Sequence, residues 1–417
     1  MSELSSSVLQ KFDVVVVGAG FAGIYMQHKM QQRGYSVRLY EAGGGVGGTW
    51  YWNRYPGARV DVESVEYSYS FDEDLQQEWS WSERYASQPE LMVADRFDLR
   101  RNMQFDTKVT SAHYDGKSLR WNIKTSMQDV VSAKYCVFAT GFLSSGSIPD
   151  FEGLGDYQGN KYLTSQWPKD GVNFSGQRVA VIGTGSSAVQ SIPIIAEQAE
   201  HLYVFQRTPS FSIPARNGPL DQAYEKYVKE NYSDWRSRQR DSRGGFISVN
   251  FQAMEANAKS ALEVSAEERL EDYEMRWKSG GLCYYSSFAD LFTNQEANDT
   301  LADFVREKTR QRVDDPEIAE LLVSQDYPIM AKRLCADTNY FETYNRENVS
   351  LISIKNSPIE KLTSNGLQVE GCEYEVDSII FATGFDAVTG AIKNIDVRGL
   401  DGRSLQEHWE GAPRAYL

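Results

Sequence analysis

The feature that most constrains the fold of this chain is a short apolar run that leads directly into three spaced glycines. Residues 12–17 are apolar apart from Asp13, and Gly18, Gly20 and Gly23 follow in the pattern G-x-G-x-x-G. This order predicts a buried parallel strand that turns tightly into a helix. The glycines allow the tight turn, the close approach of the backbone to a pyrophosphate, and the close packing of helix on strand. Since a helix N-terminus attracts anions, the pattern indicates a dinucleotide site.

An acidic residue at the end of the next strand strengthens this interpretation. Residues 24–33 are expected to form the helix, Gly34 to end it, and residues 36–40 to form a second strand that ends at Glu41. An acid about 20 residues after the glycines can accept hydrogen bonds from the hydroxyls of an adenosine ribose. Glycine-rich turns alone are common, so the prediction depends on the strand, the helix and the acid together.

A second strand–glycine–helix pattern occupies residues 178–188, but its next strand ends differently. Residues 202–205 lead to Gln206, Arg207 and Thr208 in place of an acid. Arg207 offers a charge-assisted pair to a 2′-phosphate and Thr208 a further donor, although a surface arginine at a strand end is the simpler alternative. The first site therefore suits FAD and the second NADPH. The residues of the second glycine turn that are expected to contact NADPH are Gly183, Thr184, Gly185, Ser186, Ser187 and Ala188.

Two similar segments repeat within the chain. Residues 135–142 read YCVFATGF and residues 379–385 read IIFATGF, and each is typical of a buried strand that stops at a glycine. Such a glycine is expected where the chain passes close to a bound dinucleotide or crosses between domains. One copy at the close of each nucleotide domain is the architecture of flavoproteins with two dinucleotide sites, which this chain resembles.

The predicted fold class is α/β, with two Rossmann-like dinucleotide-binding domains, for FAD and NADPH, and a helical insertion in the second. Charged amphipathic patterns predict helices over residues 221–232, 265–278 and 294–312, and the segments 277–281 and 284–292 are expected to form a mobile corner near the substrate. Alternation over residues 103–125 predicts a small antiparallel layer laid on the first domain. The predicted boundaries are 1–145, continued by 385–417, for FAD binding; 146–217 and 329–384 for NADP binding; and 218–328 for the insertion.

Composition limits the partners and the compartment. The net charge of −15 disfavours nucleic acid and anionic membranes, because a phosphate backbone requires a basic face. The four cysteines are widely spaced, which suggests neither a metal site nor a disulfide framework and fits a reducing compartment. We found no signal peptide in the first ten residues and no apolar stretch near the roughly 18 residues that span a bilayer. The sequence therefore predicts a soluble, cytoplasmic protein, with an unknown oligomeric state.

Residues 47–61 carry the most specific motif, GGTWYWNRYPGARVD. An ordinary turn does not need two tryptophans, a Tyr-Pro-Gly and an aspartate within so short a segment. The segment meets every fixed position of the fingerprint [A/G]-G-x-W-x-x-x-x-[F/Y]-P-[G/M]-x-x-x-D, from Gly47 to Asp61. The chain therefore resembles the flavin-dependent Baeyer-Villiger monooxygenases of the cyclohexanone monooxygenase type, and the resemblance extends from Phe12 to Leu417.

This resemblance implies FAD and NADPH as cofactors and a small-molecule ketone and O2 as substrates. The implied reaction converts the ketone to an ester or lactone through a C4a-peroxyflavin. Arg333 is then the catalytic residue that stabilises the negative charge, and Asp61 orients it. The resemblance adds Arg59, Lys332 and Arg333 to the NADP-binding residues. The residues expected to contact FAD are Gly18, Gly20, Phe21, Gly23, Glu41, Gly48, Thr49, Trp50, Asp61, Tyr67 and Val109.

Two departures from the family pattern keep alternatives open. In the second fingerprint, F-x-G-x-x-x-H-x-x-x-W-[P/D], the histidine position is occupied by Leu163. An imidazole there could hydrogen-bond across the two domains and help to fix their relative rotation. With leucine we expect this rotation to be less restrained, and NADPH oxidation to be partly uncoupled from product formation. Family members also continue beyond the position of Leu417. The alternatives are a flavin monooxygenase that oxidises nitrogen or sulfur or is uncoupled, and a non-catalytic flavoprotein; Asp61, Arg207 and Arg333 together favour an enzyme.

Overall fold

The computed structural model describes residues 9–88, 99–242, 245–247 and 257–414. Its first sheet is built on strand β1 (Gln10–Val17), which lies between β2 (Val37–Tyr40) and β6 (Val130–Phe138) and runs parallel to both. Helix α1 (Phe21–Gln32) follows β1. The remaining strands of this sheet are β3 (Met103–Gln104), β4 (Val109–Asp115), β5 (Arg120–Thr125) and β17 (Asp396–Arg398). The order across the seven strands is β17-β4-β5-β6-β1-β2-β3.

The second sheet has five strands, and those that pair are all parallel. Its order is β12-β9-β8-β16-β7, with helix α4 (Ser186–Gln198) following β8. The strands are β7 (Asn160–Leu163), β8 (Arg178–Ile182), β9 (His201–Gln206), β12 (Val349–Ser353) and β16 (Ser378–Phe381). Two smaller sheets comprise β10 (Ser212–Pro214) with β11 (Cys335–Asp337), and β13 (Lys361–Leu362) with β14 (Gly366–Val369) and β15 (Cys372–Glu375).

Both faces of β1 and of β8 are buried, which explains their continuous apolar sequences. In β1, Val14 and Val16 pack into one hydrophobic cluster and Val15 packs into another on the opposite face. In β8, Val181 and Ala180 likewise face different clusters. The first sheet is parallel around β1, the second is parallel throughout, and a helix follows both β1 and β8, which confirms the predicted α/β fold class.

The two repeated segments occupy equivalent positions, as predicted. The end of β6 lies beside Gly18 and the end of β16 lies beside Gly183. A β-carbon on Gly18 would lie 2.5 Å from the carbonyl oxygen of Ala139, and one on Gly183 would lie 2.5 Å from that of Ala382. Both glycines have positive φ, +104° and +110°. Each glycine turn is therefore pressed against the strand end of a repeated segment, where no side chain fits.

Three of the helices between residues 218 and 328 begin where the sequence predicts, whereas the helices over residues 232–241 and 316–322 were not predicted. The side chains of Asp221, Ser265 and Asn294 cap the three predicted helices by accepting hydrogen bonds from backbone N–H groups of the first turn. Residues 243–244 and 248–256 of the predicted insertion lie outside the described residues. The helices are α5 (Gln222–Glu230), α6 (Tyr232–Asp241), α7 (Ala266–Ser279), α8 (Gln295–Arg310) and α9 (Pro316–Leu322).

Four short helices complete the described part of the chain: α2 (Thr49–Trp52), α3 (Glu73–Glu78), α10 (Gly390–Lys393) and α11 (Leu405–His408). No helix within the described ranges is both long and apolar enough to cross a bilayer. The domain boundaries stay a prediction. They are supported at the C-terminal end by β17, which pairs in parallel with β4 of the first sheet.

Two local predictions differ from the structure. Residues 103–125 do not form a separate layer, because β4 and β5 pair antiparallel and β5 continues the first sheet through β6. The corner predicted to be mobile is packed: Trp277, Tyr284 and Phe288 are at most 7% exposed and belong to one hydrophobic cluster. Their burial argues against the predicted mobility.

Candidate active site

A cleft of about 600 Å³ lies at the carboxyl end of β1. This is where a Rossmann-like domain binds its dinucleotide. Gly23 does not line the cleft, and a β-carbon there would be 1.9 Å from the carbonyl oxygen of Gly18. Gly23 therefore serves helix–strand packing. Asp61, also predicted to contact FAD, does not line the cleft, and its carboxylate pairs with Arg333. The residues predicted to contact FAD that line the cleft are Gly18, Gly20, Phe21, Glu41, Gly48, Thr49, Trp50, Tyr67 and Val109.

Glu41 organises the loops around this cleft. Its Oε2 accepts a hydrogen bond from the N–H of Ala19 at 2.6 Å, and its Oε1 accepts one from the N–H of Gly43 at 2.8 Å. Burial raises the pKa of the Glu41 carboxyl, and these backbone donors oppose that shift. The side chain thus ties the glycine turn to the loop after β2 while it lines the cleft, a structural role that the sequence pattern did not indicate.

The shape and polarity of the cleft fit FAD. The first turn of α1 has Gly20 at its N-cap with no side-chain cap, so its N–H groups face an anion site. A β-carbon on Gly48 would lie 2.8 Å from the Cα of Gly20, so the two glycine loops meet without side chains between them. Ser165 also lines the cleft, and its hydroxyl is buried without a partner. An unpaired polar atom at this position favours a polar ligand.

The glycine loop just before the fingerprint closes over Tyr51, an aromatic residue of the fingerprint. A β-carbon on Gly43 would lie 2.5 Å from the ring of Tyr51, and one on Gly45 would lie 2.9 Å from it. The N–H of Gly44 donates a hydrogen bond to Tyr51 Oη at 2.8 Å. Only glycines allow this loop to close over the ring, which fixes the start of the fingerprint beside the cleft.

The later part of the fingerprint docks onto α4 of the second sheet. A β-carbon on Gly57, whose φ is +81°, would lie 2.4 Å from the carbonyl oxygen of Gln190. Tyr55 Oη donates to Gln190 Oε1 at 2.9 Å, and Gln190 Nε2 donates to the carbonyl of Arg59 at 3.1 Å. Sequence reasoning missed Gln190, because a single glutamine on a helix carries no pattern. The fingerprint therefore joins the two nucleotide units.

Asp61, the last residue of the fingerprint, forms a bidentate pair with Arg333. The two residues are 272 positions apart in the sequence. Arg333 donates from Nε to Asp61 Oδ2 at 2.5 Å and from Nη2 to Oδ1 at 2.8 Å. The hydrogen bond with Asp61 raises the pKa of Arg333. The guanidinium also lies over the ring of Phe246, 5.5 Å from its centroid, and 52% of the side chain is exposed. The fixed charge is thus oriented and accessible.

Comparison with known proteins agrees with this geometry. The family model described as pyridine nucleotide-disulphide oxidoreductase matches residues 12–238. A Baeyer-Villiger monooxygenase of Pseudooceanicola batsensis is 43% identical over 100% of this chain and 76% of its own length. The chain belongs to the Baeyer-Villiger monooxygenase family.

Other relatives and solved structures extend the comparison. A phenazine N-monooxygenase of Lysobacter antibioticus is 42% identical over 97% of this chain and 75% of its own length. The structure of an oxidized steroid monooxygenase bound to NADP is 51% identical with a TM-score of 0.92, and the match covers 98% of this chain and 78% of that one. An OTEMO complex with FAD and NADP is 40% identical with the same TM-score and coverage.

The family member described here is an NADPH-dependent flavoprotein monooxygenase, and FAD and NADP are its cofactors, as the sequence predicted. Its second glycine turn resembles the first: Gly185 is the N-cap of α4 and no side chain caps the helix. Thr184 Oγ1 donates to the carbonyl of Thr208 at 3.0 Å, which ties the turn to the end of β9. Ser186, Ser187 and Ala188 begin α4 beside this turn.

The basic residues predicted to bind NADP in this Baeyer-Villiger monooxygenase are held differently. Arg207 is exposed. Arg59 pairs with Glu83, with 2.8 Å between Nη1 and Oε2. The Lys332 ammonium lies 4.3 Å from the ring centroid of Tyr327. Across the described residues, no cluster of three or more histidine, cysteine or acidic side chains could hold a metal ion.

Proposed function

We propose that this family member oxidises a ketone to an ester or lactone, with Arg333 stabilising the reacting oxygen and Asp61 orienting Arg333. The observation that carries the proposal is the bidentate Arg333–Asp61 pair, which joins the fingerprint to the segment before β11. Both charges also affect the pKa of Tyr67, a residue that lines the FAD cleft, although burial is the main cause of its raised pKa.

Bound FAD would supply the redox chemistry, taking a hydride from NADPH and activating O2. The protein's part is electrostatic. A guanidinium keeps its charge through the reaction, so Arg333 can stabilise the negative charge that develops on the carbonyl oxygen of the ketone. Asp61 occupies Nε and one proton of Nη2, which leaves Nη1 directed away from the carboxylate and available for that oxygen. This division of the donors supports a contact between Arg333 and the reacting oxygen, with Asp61 holding Arg333 in position.

Replacement of Arg333 tests the assignment. In Arg333→Ala, FAD binding and reduction by NADPH should persist, while ester formation should fall by about 10²- to 10³-fold, as for a lost oxyanion donor. Hydrogen peroxide should replace the ester as the oxygen product. The measurements are the flavin spectrum, stopped-flow reduction, and separate quantification of ester and peroxide.

Two matched variants separate charge from orientation. Arg333→Lys keeps the charge but loses the bidentate fork, and Asp61→Asn keeps the shape but loses the charge that orients the guanidinium. Both should fall between wild type and Arg333→Ala in ester yield. An Arg333→Ala enzyme that formed ester at the wild-type rate would rule out the assigned role.

A second candidate reaction is N-oxygenation, which the 42% identity to a phenazine N-monooxygenase favours. Purified enzyme with NADPH should be offered a cyclic ketone and an aromatic N-heterocycle in parallel. Ester from the ketone with no N-oxide supports the first reaction, and the reverse supports the second.

For the compartment, the acidic composition and the four unpaired cysteines support a cytoplasmic enzyme with small-molecule partners.

A further inference from the structure

Lys332 and Arg333 are neighbours in sequence, but their charges are held in different ways. Arg333 is paired with the carboxylate of Asp61. The Lys332 ammonium lies over the ring of Tyr327 instead, 4.3 Å from the centroid, and within the described ranges no carboxylate pairs with it. A cation–π contact places a cation without neutralising it. Lys332 therefore keeps a full charge available for an anionic ligand.

The hydroxyl of Tyr327 contacts the loop that follows Arg207 and Thr208. Tyr327 Oη accepts a hydrogen bond from the N–H of Phe211 at 3.3 Å and donates one to the carbonyl of Pro209 at 3.4 Å. A tyrosine hydroxyl is protonated near neutral pH, and burial raises the pKa of Tyr327 further, so this hydroxyl can donate. One side chain thus touches both Lys332 and the loop beyond β9.

Tyr327 is itself held in place. Its ring meets that of Phe211 edge to face, with 5.6 Å between centroids. The guanidinium of Arg306, on α8, lies over the other ring of this pair, 5.7 Å from the Phe211 centroid. Arg306 Nε also donates to the carbonyl of Ser324 at 2.9 Å, which anchors the segment before Tyr327. A supported ring of this kind can fix the position of a flexible lysine.

We propose that Tyr327 is a positioning residue that sets coenzyme specificity: its ring presents the Lys332 ammonium to the 2′-phosphate of NADPH, and its hydroxyl holds the loop that carries Arg207 and Thr208. This inference rests on the proposed assignment of Lys332 and Arg207 to the 2′-phosphate. NADH has no phosphate at this position and gains nothing from the arrangement. Tyr327 should therefore affect the two coenzymes unequally, which a residue needed only for packing would not.

Binding of small probes to the FAD-loaded enzyme isolates the phosphate contribution. Isothermal titration calorimetry should compare adenosine 2′,5′-bisphosphate with 5′-AMP, and NADP⁺ with NAD⁺. Tyr327→Leu should weaken both 2′-phosphorylated ligands about three- to tenfold, the range of a cation–π contact, and leave the other two within about twofold. Tyr327→Phe keeps the ring and should lose less than Tyr327→Leu.

Three further variants make the outcome decisive. Lys332→Met should weaken the 2′-phosphorylated ligands, and adding Tyr327→Leu to it should cost no more than Tyr327→Phe costs alone, because without the lysine only the contribution of the hydroxyl remains. Tyr35→Leu, a half-exposed tyrosine of the first unit, is the matched control and should change none of the four affinities. Thermal unfolding of each variant confirms that it is folded.

Three results would overturn the proposal. Equal losses for ligands with and without the 2′-phosphate would make Tyr327 a packing residue, and full additivity of the double variant would show that it does not act through Lys332. If Lys332→Met alone left adenosine 2′,5′-bisphosphate unaffected, the fault would lie in the assignment of Lys332, and the role of Tyr327 would fall with it.

Discussion

At the scale of single residues, the site contains two kinds of cationic side chain: those paired with a carboxylate, and those available to an anionic ligand. Arg333 is paired with Asp61, and Arg59 with Glu83. Lys332 lies on an aromatic ring, and Arg207 is exposed at the end of β9. Breaking an existing ion pair would reduce the affinity for an incoming phosphate, so uncompensated cations suit the 2′-phosphate of NADPH.

Replacement of Arg207 tests this distinction directly. In Arg207→Ala, the KM for NADPH in flavin reduction should rise roughly ten- to a hundredfold, the value of one charge-assisted contact. The KM for NADH should change little, because NADH lacks the phosphate, and it serves as the internal control. Stopped-flow reduction with each coenzyme measures both values. Equal losses would make Arg207 the surface arginine of the simpler alternative.

At the scale of an element, β11 holds the segment that carries the site arginine. Asp337 at its end has a fully buried side chain, and Arg312 binds both carboxylate oxygens at 2.7 and 3.1 Å. The same guanidinium binds Glu342 at 2.7 and 2.8 Å. Arg312 follows α8 directly, so this clamp fastens the helical region to the strand that follows Arg333.

Loss of the clamp should be costly. Arg312→Met leaves the Asp337 carboxylate buried and unpaired, which should lower the free energy of unfolding by about 3–5 kcal/mol. Arg310→Met, two positions earlier, removes an exposed pair with Glu320 and should change stability by less than about 1 kcal/mol. Urea unfolding of the two variants gives the comparison. Similar losses at both positions would show that the buried ion pair contributes no more to the free energy of unfolding than the exposed one.

At the scale of the whole molecule, the two crossings between the sheets run side by side. The N–H of Ser147 donates to the carbonyl of Gly384 at 3.0 Å, and that of Asp386 donates to the carbonyl of Ser145 at 2.9 Å. Residues 145–147 and 384–386 thus form a paired connection, bridged at Gly146 and Phe385. A rotation of one nucleotide unit against the other would bend both crossings together.

Leu163 lies next to this connection and sets a prediction for coupling. A β-carbon on Gly146 would lie 2.9 Å from Leu163 Cδ2 and 2.0 Å from Ser165 Oγ, so the leucine is close to a buried hydroxyl without a partner. In Leu163→His, the imidazole can bond to that hydroxyl and steady the crossings. The ratio of ester formed to NADPH consumed should rise above that of a partly uncoupled wild type.

Ser165 provides the control for this prediction. The double variant Leu163→His/Ser165→Ala should lose the gain, because the partner of the imidazole is removed. Both rates should be measured with one saturating ketone. A fully coupled wild type, or a ratio that Leu163→His leaves unchanged or lowers, would count against a gating role and leave Leu163 as packing in the cluster around Ile182 and Phe381.

Local sequence patterns were enough to predict the features that depend on neighbouring residues. The two strand–glycine–helix units, the helix starts at Asp221, Ser265 and Asn294, and the repeated strand ends all lie where local patterns predicted them. Each is set by steric and hydrogen-bonding preferences within a few residues of chain. The fingerprint from Gly47 to Asp61 likewise indicated the family before any contact was known.

Contacts between distant residues could not be predicted in this way and are seen only in the folded chain. Tyr55 and Gln190 are 135 positions apart, and Pro209 and Tyr327 are 118 apart. Such contacts arise when packing brings separate elements together, and no periodicity in the sequence encodes them. The burial of the corner that was predicted to be mobile was missed for the same reason. The sequence does not show what its aromatic side chains pack against, and residues of α7, α8 and β10 supply the apolar surface that buries them.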